Sequence, residues 1–167
     1  MPTTLCILCV DDEPDVLEAI ESELSPLEDM FPLYTADCAD NARQRIREIH
    51  SDSDRQLALI LCDHIMPGQD GAQLLVELHQ HPETHPTRKV LLTGQAGLQA
   101  TIKALNQAHL DYYLAKPWNT QELTGLCKKL LTEYILEQGL NPLPMASSLD
   151  SELLQQHIHR KGLISDT

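Results

Sequence analysis

The chain has 167 residues, and its 25 acidic against 12 basic side chains give a formal net charge of −13. That balance argues against a nucleic-acid surface and against attraction to anionic lipid, because both are themselves negative. Hydrophobic residues make up 42% with no stretch long enough to span a bilayer, and the start MPTTLCILCVDD lacks the basic region of a signal peptide, so a cytoplasmic protein that meets other proteins is expected.

Leu5 to Val10 is a continuous apolar run, typical of a strand buried on both faces. Cys6 and Cys9 lie inside it, where a spacing of three points them to opposite faces. A zinc or redox pair would want a turn, so they read as small buried hydrophobes. Cys62 and Cys127 also fall at core positions, and nothing suggests a disulfide framework. Asp11 and Asp12 end the first run, and Pro14 opens a helical stretch with Val16, Leu17, Ile20 and Leu24 on one face. A weak strand at Leu33 to Ala36 and a helix from about Asp40 to Ile49 follow, then the polar loop HSDSDRQ.

Leu57 to Cys62 is the second strong strand, and Asp63 opens the turn-rich segment DHIMPGQDG after it. A helix is expected at Ala72 to His79, a strand at Lys89 to Leu92 closed by Thr93, and a helix at Leu98 to Gln107. Tyr112 to Ala115 is the fifth strand, ended by Lys116-Pro117, and Thr120 to about Gln138 is the last helix, with Gly139 as its stop. Strand and helix alternate five times. The fold class is therefore α/β, a doubly wound (βα)5 parallel sheet covered on both faces by right-handed crossovers.

Beyond this domain of residues 1–138, the segment 139–167 has a different character. LNPLPMASS looks like a linker or extended arm, and LDSELLQQHIHRKG like a short amphipathic helix capped by Asp150 and stopped by Gly162. It is too short for an ordinary output domain. Leu149, Leu153, Leu154 and Ile158 are too apolar for a solvated tail, so docking is expected, with a second copy of the chain favoured over its own domain and the face of the last two helices as the place.

If the strands are parallel, Asp11, Asp12, Asp63, Thr93 and Lys116 all emerge at the carboxyl edge of the sheet, where open α/β sheets place ligands. Three carboxylates, a hydroxyl and an ammonium suit a divalent cation and a phosphoryl group. Taken singly each has a plainer reading. Asp11 and Asp12 could be acids at a helix N-terminus, and Asp70-Gly71 reads mainly as a turn. His64 is expected to be exposed and to modulate access. His79, His81 and His85 cluster on a proline-rich loop, without the spacing of a metal site.

The residues VDD at 10–12, D-x-x-M-P-x-x-D-G at 63–71, Thr93 with the small Gly94 behind it, and Tyr113 followed by Lys116-Pro117 carry a resemblance. From about Leu5 to Gln138 the chain resembles the receiver domain of two-component response regulators. The resemblance implies a flavodoxin-like strand order 2-1-3-4-5. It implies that Asp63 is a nucleophile that becomes an acyl phosphate. Mg2+ or Mn2+ would sit on Asp12, Asp63 and the backbone carbonyl of Ile65, with Asp11 acting through water. Lys116, before a cis Pro117, would pair with the phosphoryl oxygens, while Thr93 and Tyr113 would form the switch; Tyr112 competes with Tyr113 for that place. The implied donor is a sensor histidine kinase or phosphotransfer protein and the target an unknown protein; the apolar tail adds the expectation of a homodimer. The chemistry would be confined to the chain itself, so it is not an enzyme with a separate substrate. Ile65 and Gln95 hold the positions that tune hydrolysis, and an apolar Ile65 suggests a phosphoryl lifetime that is not unusually short.

Other readings fit less well. A flavodoxin needs a hydroxyl- and glycine-rich loop after the first strand, and DDEP would repel FMN phosphate. A haloacid-dehalogenase-type phosphatase wants a second aspartate where Ile65 stands. A phosphorylation-independent binding module would not need the intact acidic set. The chain could also be the front of a larger regulator.

Overall fold

Six consecutive buried residues, Leu5–Val10, put the first strand in the interior of a five-stranded sheet. The computed structural model describes residues 3–94 and 106–165. In chain order these form β1 (Thr4–Val10), α1 (Pro14–Glu23), the single turn α2 (Ser25–Glu28), β2 (Leu33–Ala36), α3 (Ala39–His50), β3 (Arg55–Asp63) and α4 (Gly71–Gln80). Then come β4 (Arg88–Thr93), β5 (Tyr112–Ala115), α5 (Thr120–Glu137), a 3-10 turn (Leu143–Ser148) and α6 (Ser151–Ser165). The helix expected at Leu98 to Gln107 lies, except for its last two residues, outside the described residues, as does Gln95.

All strand pairs are parallel and the order is β2-β1-β3-β4-β5, as the resemblance implied. Alternation along β1 sends Leu5, Ile7 and Cys9 to one face and Cys6, Leu8 and Val10 to the other. The first face packs against Ile20 of α1, Leu24 just past its end, and Leu123, Leu130 and Leu131 of α5. The second meets Ala42 and Ile46 of α3 and Leu74 and Leu78 of α4. Cys6 and Cys9 are therefore on opposite faces, and burial pushes both thiols up. They are packing residues.

Helix ends follow local chemistry. Pro14 stands in the first turn of α1, while Asp70 and Asn119 accept the N–H of Gln73 (2.8 Å) and Glu122 (2.7 Å) as caps of α4 and α5. Gly139, at φ +68, ends α5 in the left-handed conformation that glycine tolerates.

The tail departs from expectation in three ways. Its proline segment is not an extended arm, because Leu140, Met145 and Ala146 pack on the face shared by α1 and α5. Leu149 and Leu154 are buried in that same cluster, so the chain's own domain, not a second copy, covers them. Thr132 of α5 holds the junction: its hydroxyl donates to the Lys128 carbonyl (2.6 Å) and accepts the Asp150 N–H (2.9 Å). Asp150 does cap α6, but the helix runs past Gly162 to Ser165.

Candidate cation and phosphoryl site

Sheet register assembles the site. Val10 pairs with Cys62, so Asp11 and Asp12 leave β1 beside Asp63 at the end of β3. Thr93 pairs with Ala115, which brings Lys116 to the same edge two strands away. Carboxylate oxygens of Asp11, Asp12 and Asp63 all lie within 4.8 Å of one another, the one such convergence of three or more potential metal ligands among the described residues.

The three carboxylates are not equivalent. Asp11 is fully buried: its Oδ1 accepts the Glu13 N–H (2.9 Å) and its Oδ2 the Lys116 ammonium (2.9 Å). Asp63 is buried and takes a longer contact from the same ammonium, 3.2 Å to Oδ1. Asp12 is exposed. Burial, followed by the charge of Asp11, pushes the Asp63 carboxyl up to about 6 against the pull of Lys116. Burial would lower the Lys116 ammonium, but its hydrogen bonds and charges with Asp11 and Asp63 outweigh this and hold it above the usual lysine range. One ammonium among three carboxylates leaves an excess of negative charge. With oxygen donors alone, that set fits a hard divalent cation.

The loop after Asp63 is held at both ends. The His64 N–H donates to the Leu92 carbonyl (2.9 Å) and the Gly71 N–H to the His64 carbonyl (2.8 Å). His64 is buried, its Nδ1 without a partner among the described residues, so it does not stand exposed at the mouth as expected: its backbone continues the β3–β4 pairing and draws the ring inward. Ile65 is 66% exposed at the loop, and Met66 is buried behind it. Arg43 of α3, which the sequence reading missed, donates to both oxygens of Glu77 on α4 (2.7 and 3.1 Å), to Asp40 (2.7 Å) and to Gln69 of this loop.

Thr93 is buried at the end of β4, and its carbonyl accepts the Lys116 N–H at 2.7 Å. The Lys116–Pro117 peptide bond is cis. Tyr112 and Tyr113 are 45% and 48% exposed with ring centroids 6.2 Å apart, so burial does not separate them. Of the histidine cluster, His79 stacks on His109 (4.2 Å) and meets the tilted ring of His85 (4.3 Å), and it joins no convergent ligand set among the described residues. Past Lys116, Trp118 and Thr120 both donate to Glu23 at the end of α1, another contact the sequence reading did not anticipate.

The family model described as the response regulator receiver domain matches residues 7–128. The chain is 25% identical over 156 residues to the hydrogenase transcriptional regulatory protein HoxA of Cupriavidus necator, covering 93% of this chain and 30% of that protein. It is 27% identical over 145 residues to the regulatory protein AtoC of Escherichia coli, covering 85% and 28%. The chain thus spans less than a third of the length of these two curated relatives. Among solved structures it is similar to the signal receiver domain of an HD domain-containing protein from Pseudomonas fluorescens Pf-5, with 30% identity, TM-score 0.71, and coverage of 83% of this chain and 95% of that one. A CheY-like response regulator receiver domain protein from Methanospirillum hungatei JF-1 gives 27% identity, TM-score 0.69, and coverage of 81% and 99%.

Proposed function

Because the chain belongs to the response regulator receiver domain family, we propose that Asp63 is its phosphoacceptor and that a phosphoryl group on it sets the protein's interaction surface. The observation that carries this reading is the convergence of Asp63 with two more carboxylates and one ammonium at the carboxyl edge of a parallel sheet.

Asp63 presents one oxygen to Lys116 and keeps the other for attack on phosphorus. An O–P bond forms there as the bond from phosphorus to the donor breaks, and the donor leaves with that electron pair. Mg2+ or Mn2+, held by Asp12, Asp63 and the Ile65 carbonyl, would screen the carboxylate from the incoming anion. Both oxygens of Asp11 already accept hydrogen bonds, which favours its acting through water. Lys116 follows the new charge by exchanging an aspartate oxygen for a phosphoryl oxygen. The Thr93 hydroxyl then turns toward the phosphoryl group, and the Tyr113 ring, half-exposed in this structure, moves inward.

The donor is a histidine kinase or phosphotransfer protein and the recipient of the signal another protein; the chemistry stays on the chain itself. The net charge of −13 fits a cytoplasmic protein that binds neither nucleic acid nor membrane, and no described helix is long and apolar enough to cross a bilayer. Incubation with acetyl phosphate followed by intact-mass measurement tests the reading. The chain should gain one phosphoryl group with Mg2+ and none without it. An Asp63→Asn protein that still gains mass would overturn it.

A further inference from the structure

The last turn of α1 holds Glu21 and Glu23 and no basic residue, the reverse of what the negative end of a helix dipole favours. A local rule broken in this way calls for a compensating contact. Glu21 is exposed to water, whereas Glu23 is partly buried. Its compensation lies about 95 residues further along the chain. Glu23 Oε2 accepts the indole N–H of Trp118 at 2.9 Å, and Oε1 accepts the Thr120 hydroxyl at 3.3 Å.

Those two donors flank Asn119, the cap of α5, and follow directly on Lys116–Pro117. One carboxylate therefore fastens the whole turn from the site lysine into the last helix. The partly buried Trp118 ring packs on the core and lines one hollow with Val16 and Ala19 of α1, so the clamp grips a side chain that packing already restrains. On its other side Lys116 is fixed by its N–H to the Thr93 carbonyl, 2.7 Å. The lysine backbone is thus pinned from both directions, one pin being sheet pairing and the other Glu23.

We infer that Glu23 is a positioning residue for Lys116: by holding Trp118 and Thr120 it sets where the ammonium stands when a phosphoryl group is on Asp63. The inference rests on the reading of Lys116 as the partner of that group. In the resting site the ammonium is placed by Asp11 and Asp63. Once Asp63 carries a phosphoryl group, the lysine must find a new oxygen at the end of a flexible four-carbon stem. Its backbone then decides how well it is aimed, and a turn held in advance loses less freedom when the contact forms. A carboxylate suits the task because charge-assisted hydrogen bonds are stronger than neutral ones.

Binding of beryllofluoride, a phosphoryl mimic, at saturating Mg2+ tests this by calorimetry on the full chain. Glu23→Ala should weaken binding by roughly three- to tenfold. Glu23→Gln, which keeps a carbonyl oxygen for Trp118, should recover part of that loss. In a Lys116→Ala background the Glu23→Ala change should cause no further weakening, because the group it positions is gone. A purely structural role would weaken both backgrounds by the same factor. Equal factors, or a Glu23→Ala protein that binds like the parent, would overturn the inference. Failure of the underlying reading shows separately, as Lys116→Ala binding the mimic as tightly as the parent, and that outcome removes the inference with it.

Discussion

A Cβ at Gly71 would stand 1.9 Å from the carbonyl oxygen of Asp63. No rotamer relieves this contact, because both partners are backbone. The start of α4 and the end of β3 touch there, with the Gly71 N–H donating to the His64 carbonyl across the base of the loop. Hydrogen alone fits. Gly71→Ala should therefore separate the two segments, cost about 2–4 kcal/mol of stability and slow phosphoryl uptake by shifting Asp63. Gly68 offers the control: its φ of +87 strains any side chain, but the space around it is open. Gly68→Ala should cost about 1 kcal/mol and leave uptake nearly intact. Urea denaturation and intact-mass time courses on the two variants measure both effects.

The raised carboxyl of Asp63 makes the cation-free protein's stability depend on pH. From an ordinary value of 3.8, burial and then Asp11 lift it to about 6 in the folded state. Between about pH 4 and pH 6 the folded protein holds a proton there that the unfolded chain has released. Stability must fall as pH rises through that window, by about 3 kcal/mol in all. Asp63→Asn cannot titrate. In EDTA the stability of the parent relative to this variant should decline by that amount from pH 4 to 7, and Mg2+ should restore the parent at pH 7 while leaving the variant unchanged. A difference that stays flat with pH would show that the buried carboxylate is not penalised.

Lys116 is the ammonium that both buried carboxylates share. Removing it leaves Asp11 and Asp63 close together without their shared cation, with Asp12 beside them. Without a cation, Lys116→Ala should be less stable by about 2–4 kcal/mol. Mg2+ should still bind, at least as tightly as in the parent, because its proposed ligands are intact and a competing positive charge has gone. Titration followed by the fluorescence of Trp118 measures this. Loss of Mg2+ binding in the variant would contradict the proposed division of labour between cation ligands and lysine.

What could be read in the sequence was local. A strand's end and the polar residue that follows it are adjacent in the chain, so Asp11, Asp12, Asp63, Thr93 and Lys116 could be assigned to one sheet edge once the strands were taken as parallel. Contacts between distant segments could not be read. The bond from Trp118 to Glu23 spans 95 residues, and that from Arg43 to Glu77 spans 34. His64 was misjudged for a related reason: its loop is polar in sequence, but its own N–H still pairs with β4. For the tail, apolar spacing shows that a helix needs a partner and is silent on which partner that is.

The tail gives the last prediction. Leu149 and Leu154 are 5% and 8% exposed, and burying a leucine contributes about 1.5–3 kcal/mol. Truncation after Gly139 takes both leucines out of the core cluster and removes the Asp150 N–H that the buried Thr132 hydroxyl accepts. Ordering the segment offsets part of that gain, so the truncated chain should lose about 3 kcal/mol. Thr132→Val should cost about 1 kcal/mol, whereas Ile158→Asp, at a position 61% exposed, should stay within about 0.5 kcal/mol. Because the buried leucines are covered within one chain, light scattering should give the same association state before and after truncation. If truncation instead halves the mass and spares the stability, the tail's partner in solution is a second copy, and its seat on its own domain is the weaker of two arrangements.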